Sequence, residues 1–99
     1  MITELVNSYD LQAEGQAMGH CVASYAPSCV HGRVSIWSLR VADATGLETR
    51  LLTLEVSNLE YKIVQARRKF NALPGERELA ILKRWAAAGG PKLSQWVSR

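Results

Sequence analysis

The chain has 99 residues, 47% of them hydrophobic and 21% charged, which fits one small globular domain, residues 1–99, and excludes a second domain dedicated to a cofactor. A chain of this size buries roughly 60 to 65% of its unfolded surface, so one core takes most apolar residues and a site is left little more than one face. The net charge of +3 hides a division: residues 1–49 hold two basic residues against five acids, so −3, and residues 50–99 hold ten against four, so +6.

In chain order, the first segment reads as helical. Asp10 stands as a cap before LQAEGQAM, with Leu11 and Met18 on one face and Gly15 and Gly19 weakening the helix. A second short helix is expected to hold Cys21, Val22 and Tyr25, the i, i+4 spacing setting Cys21 beside Tyr25. Pro27 and Gly32 close the segment. From Arg33 to Val41 the period changes to two, with Trp37, Leu39 and Val41 opposite Val34, Ile36, Ser38 and Arg40. Asp43-Ala44-Thr45-Gly46 is a turn, and Arg50 to Val56 a second strand in which Leu52, Leu54 and Val56 alternate with Leu51, Thr53 and Glu55. After a turn at Ser57 to Glu60, Tyr61 to Arg67 is the third strand. Pro74-Gly75-Glu76 begins a last helix, with Glu76 and Glu78 in its first turn and Leu79, Leu82 and Ala86 along its apolar stripe, and Gly89-Gly90-Pro91 stops it. The tail holds Leu93, Trp96 and Val97 and reads as a short docking turn. The expected architecture is α+β: N-terminal helices, a three-stranded antiparallel meander and a C-terminal helix packed on the sheet.

No run of about 18 apolar residues occurs, and MITELVNSYD lacks the basic start and apolar stretch of a leader, so a cytoplasmic protein without a membrane segment is expected. Cys21 and Cys29 read as thiols, since a chain this rich in Leu, Val, Ile and Trp needs no disulfide scaffold. His20, Cys21, Cys29 and His31 lack the C-x2-C or H-x3-H spacing that lets one turn present two ligands, so no metal site and no cofactor are expected. Cys21 as a nucleophile would need a base from His31 or the strands, and weighs against the commoner role of a small buried apolar residue.

A second cluster runs Gln65-Ala66-Arg67-Arg68-Lys69-Phe70-Asn71. If the strand continues, Gln65, Arg67 and Lys69 project to one side beside Glu55 or Thr53, and Val64, Ala66 and Arg68 to the other. Three consecutive cations, an aromatic ring and an amide suit phosphate contacts, and their place in the +6 half strengthens that reading over a merely solvated strand end. Lys62, Arg77, Lys83 and Arg84 extend the field if they share its face. Ser38, Arg40, Glu55 and Gln65 interrupt apolar strands. On a shared face, Arg40 pairs with Glu55 and Gln65 bridges to a backbone or side-chain partner, as a structural network or as the floor of a site.

The order of these pieces resembles one family. Leu11-x2-Glu14-Gly15-x2-Met18-x-His20-Cys21-Val22-x2-Tyr25, Gly32-x3-Ile36-x-Ser38-Leu39-Arg40, Thr53-Leu54-Glu55-Val56 and Ile63-Val64-Gln65-Ala66-Arg67-x3-Asn71 together are similar to the PcfJ-like family over roughly residues 11–71. The resemblance implies a domain of mobile genetic elements, conjugative plasmids and phages among them, whose recurring polar set falls on His20, Cys21, Tyr25, Ser38, Arg40, Glu55, Gln65, Arg67 and Asn71. Two positions depart from it: Ala23 and Arg68 stand where glycine is common, and Arg68 puts charge where a tight turn would be. Many relatives carry the module within longer chains, so partner domains are expected to be lost or supplied in trans. Three functions follow. The leading one is an accessory protein binding nucleic acid or a nucleoprotein complex through Arg40, Gln65, Arg67, Arg68, Lys69 and Asn71. The second is an enzyme using His20, Cys21, Tyr25 and Glu55 on a nucleotide or protein. The third is a phage-encoded inhibitor that binds a host protein complex.

Overall fold

Alternating apolar and polar positions build a sheet whose two faces meet different helices. The computed structural model describes residues 1–19, 32–94 and 97, with Asn71 described by its backbone alone. Its strands are β1 (Ile2–Leu5), β2 (Val34–Ala42), β3 (Glu48–Ser57), β4 (Lys62–Arg67) and β5 (Lys92–Leu93), lying side by side in that order. The first four pair antiparallel, and β5 joins β4 in parallel.

The class is α+β, and the expected meander is the centre of this sheet, as β2, β3 and β4. It is not the whole of it. β1 has too few residues, four, to display a period in the sequence, and the two residues of β5 form a strand inside the tail expected as a docking turn. Both edges are pairings imposed by the neighbouring strand, which local pattern does not encode.

Helix α1 (Ser8–Met18) begins ahead of the expected cap. Asn7 is extended and its Oδ1 accepts the Asp10 N–H at 2.8 Å, so Asn7 caps the helix and Asp10 lies in its first turn, where a negative charge meets the helix dipole favourably. Gly19 at φ 69° takes the left-handed conformation that closes the helix through its N–H to the Gly15 carbonyl, so it is the helix stop rather than a weakness within it. The second helix expected around Cys21 and Tyr25 lies outside the described residues.

Helix α2 (Glu76–Ala87) covers one sheet face. Leu82, fully buried, packs in a cluster with Leu39, Leu52, Leu54, Val56, Ile63, Ala66 and Val97. Alternation places Leu39, Leu52, Leu54 and Val56 on one side, the register shift at Glu55/Val56 brings Ile63 and Ala66 to the same side, and Val97 joins from beyond β5. Trp37 of β2 meets Trp85 of α2 with ring centroids 5.3 Å apart and planes tilted by 60°, within the range of favourable aromatic pairs. Trp37 Nε1 donates to Ser35 Oγ at 2.9 Å, and Ser35 Oγ donates to Asn58 Oδ1 at 2.9 Å, tying β2 to the turn between β3 and β4. Gly75 N–H donates to Glu78 Oε1 at 3.3 Å at the start of α2, and Gly89 at φ 103° follows its end. Neither described helix is long and apolar enough to cross a membrane.

Candidate functional site

The opposite sheet face meets α1 through a stripe of three residues. Leu11, Glu14 and Met18 recur at helical spacing and all three are buried, Glu14 with 0% of its surface exposed. A carboxylate withdrawn from water costs several kcal/mol unless charges and donors meet it. Here Ser38 Oγ donates to Glu14 Oε1 at 3.0 Å and Thr53 Oγ1 donates to Oε2 at 2.6 Å. The Arg50 Nε stands 3.3 Å from Oε1 and the Arg40 Nη2 4.0 Å from it. Arg40 Nε also donates to Ser38 Oγ at 3.0 Å, and Arg50 Nη1 to the Ala13 carbonyl at 2.9 Å.

Sheet register explains how these groups converge. Ser38 and Thr53 are directly opposed, and the next pair after a register shift is Arg40 with Arg50. In unbroken register Arg40 would oppose Leu51. The bulge leaves Leu51 over and turns Arg50 to the α1 side, which is how a bulge re-aims a side chain. Like charges directly opposite repel, and the Glu14 carboxylate offsets that repulsion.

From this cluster the cations continue outward into two adjoining clefts. One, of about 470 Å³, is lined by Arg40, Arg50 and Lys69 together with Ala17, Met18, Glu48 and Thr49. The other, of about 320 Å³, is lined by Arg50, Arg68, Lys69 and Arg77 together with Val41, Leu51 and Glu78. Arg50 and Lys69 belong to both, so five cations face two glutamates on the cleft walls. Arg68 is partly engaged: its Nε donates to the Leu73 carbonyl at 2.7 Å and lies 3.8 Å from Glu78 Oε1, while its backbone N–H bonds the Ala72 carbonyl at 2.7 Å. These contacts fasten a tight turn at Lys69–Asn71, so the arginine serves a turn as well as a charged wall. That corrects the expectation that Arg68 replaces one.

Of the binding residues read from sequence, Arg40, Arg68 and Lys69 come together at the clefts. Gln65 and Arg67 are half-buried on the α1 face, in register with Glu55 and Thr53 as expected, and line neither cleft. Arg67 Nη1 donates to the Ala66 carbonyl at 3.0 Å. The strand stops at Arg67, so Lys69 turns away instead of continuing the row with Gln65 and Arg67. Asn71 belongs to the turn that follows. Glu55 is half-buried opposite Gln65 and Ile36, and its expected ion pair with Arg40 is not formed. Arg40 reaches Glu14 and Ser38 instead, because Glu55 lies opposite Ile36, four positions along β2 from Arg40. His20, Cys21 and Tyr25, with Cys29 and His31, lie outside the described residues. Of the cations expected to extend the field, Arg77 lines a cleft, and Lys62 lies 3.7 Å from Glu60 in an exposed pair.

Sequence reasoning passed over Glu14 and Arg50 as site residues. A signal for Glu14 was present: an acid between Leu11 and Met18 on the buried stripe of a helix demands cations from whatever packs there. Arg50 carried none, because its orientation depends on the bulge.

A family model described as PcfJ-like protein matches residues 1–82, a span that contains all five cleft cations and Glu14. No curated protein and no solved structure matches the chain.

Proposed function

The chain belongs to the PcfJ-like family, and from that premise we propose that it is an accessory protein of a mobile genetic element, plasmid or phage, that binds nucleic acid through its phosphate backbone. The observation that carries this reading is the pair of adjoining clefts in which Arg40, Arg50, Arg68, Lys69 and Arg77 converge. Four of the five come from the basic second half of the chain. Guanidinium groups offer forked donors that match phosphate oxygens, and Lys69 adds a mobile point charge. Glu14 holds Arg40 and Arg50 from the buried side, so less side-chain freedom is lost when an anion arrives.

The test is fluorescence anisotropy of labelled DNA and RNA across a salt series. For about four phosphates neutralised, the logarithm of the affinity should fall with the logarithm of salt with a slope of about −3. Lys69→Ala with Arg77→Ala should weaken binding and flatten that slope by about 2, whereas Lys62→Ala, outside the clefts, should do neither. Absent or salt-insensitive binding overturns the proposal. So does a partner captured from lysate whose retention is indifferent to nuclease, which favours a protein-binding module.

A further inference from the structure

We propose that the nucleic acid bound is single-stranded and that Phe70 is the platform on which one of its unpaired bases stacks. This rests on the phosphate-binding reading above and specifies its substrate class. Phe70 is the chain's one phenylalanine, and it is 75% exposed. Its backbone takes φ 57° and ψ 32°, the left-handed region that bulky side chains rarely occupy and that recurs at functional positions. An aromatic side chain placed in water on an unfavourable backbone contributes little to the core, so its place calls for another account.

The surroundings supply one. The ring lies against Gly19, where an added Cβ would come within 2.6 Å of Phe70 Cδ1 and 2.8 Å of Cε1. The glycine that ends α1 thus gives the ring a rigid support, leaving most of its surface open. Lys69 Nζ stands 5.5 Å from the ring centroid, near the outer reach of a cation–π contact, and the same lysine lines both clefts. Phosphate contacts and a stacking surface therefore sit on adjacent residues, the combination by which proteins hold single strands. A duplex keeps its base faces stacked inside and offers this ring nothing.

The test compares labelled single-stranded oligonucleotides with sugar-phosphate oligomers of equal length that carry no bases. Phe70→Leu, which keeps apolar bulk and removes the π face, should weaken binding to the base-bearing strand about tenfold and leave the abasic oligomer unaffected. Phe70→Trp should restore affinity, and its added fluorescence should be quenched by the base-bearing strand alone. Circular dichroism and the melting temperature of both variants verify that the fold is kept. Equal loss on the two oligomers, loss on neither, or tighter binding of duplex by the native protein overturns the stacking role while the Lys69 and Arg77 variants still report on phosphate binding. Failure of the native protein to bind either oligomer overturns both readings.

Discussion

Arg40 and Arg50 face each other in the β2–β3 ladder and are both held by the carboxylate of Glu14. The two are not equivalent, because Arg50 approaches to 3.3 Å and Arg40 to 4.0 Å. Arg50→Met should therefore cost about 2 to 3 kcal/mol and Arg40→Met about 1 kcal/mol, since the first removes the closer counter-charge of a buried acid. Glu14→Gln combined with Arg50→Met should cost less than the two separately, as the methionine no longer faces an unpaired carboxylate. Urea unfolding of the native protein, the three single variants and the double variant checks this ranking, and an equal cost for the two arginines contradicts it.

The turn between β2 and β3 should titrate below the ordinary carboxylate range. Asp43 Oδ1 accepts the Thr45 hydroxyl at 2.6 Å, the Thr45 N–H at 2.8 Å and the Leu47 N–H at 3.1 Å, and these bonds, the Thr45 hydroxyl foremost, hold its pKa below the usual 3.8. A pKa lowered by folding adds stability that is complete above the unfolded value and lost as pH falls through the folded one. The Thr45 amide resonance should therefore shift with a midpoint under 3.8, and Asp43→Asn should abolish that step. A midpoint at the ordinary value would show that the turn bonds do not persist in solution.

Trp37 and Trp85 should be coupled beyond their separate burial. A double-mutant cycle with Trp37→Leu and Trp85→Leu is expected to return about 0.5 to 1.5 kcal/mol of interaction energy. Additive losses would mean that the two rings contribute only area.

Gly19 links helix termination to the exposed ring. Gly19→Ala should cost about 1 to 2 kcal/mol, the penalty of a Cβ in the left-handed region, and should push Phe70 away from α1. Gly19→Asn, which tolerates that backbone better, should recover part of the stability and still displace the ring. Thermal denaturation separates the two, and identical melting temperatures would show that the backbone is not the source of the cost.

The central strands were legible because alternation there is strict: Leu52, Leu54 and Val56 against Thr53 and Glu55 fixes which side meets a helix. Helix α2 announced itself by its acids, its stripe and its glycine stop. The candidate site was only half legible. Lys69 and Arg68 stood out as a run of cations, but Arg50 needs the bulge beside Leu51 and Glu14 needs the hydroxyls of Ser38 and Thr53 opposite it. Both depend on which strand lies next to which, and a linear pattern does not carry that information. The end of β4 at Arg67 was hidden for a related reason. Phe70 takes a backbone conformation that its residue type disfavours, so propensity points away from the turn that forms.

Chain order and spatial order coincide from β1 to β5. No strand has to slot between two that are already paired, so each new strand can be added at the edge of the sheet. The two sides of that sheet mature at different times. Arg40, Arg50, Ser38 and Thr53 meet Glu14 of a helix made before them, whereas Leu39, Leu52, Leu54 and Val56 wait for Leu82. During synthesis the apolar side is bare until α2 has emerged, and a nascent chain stalled in that interval is the species most exposed to aggregation.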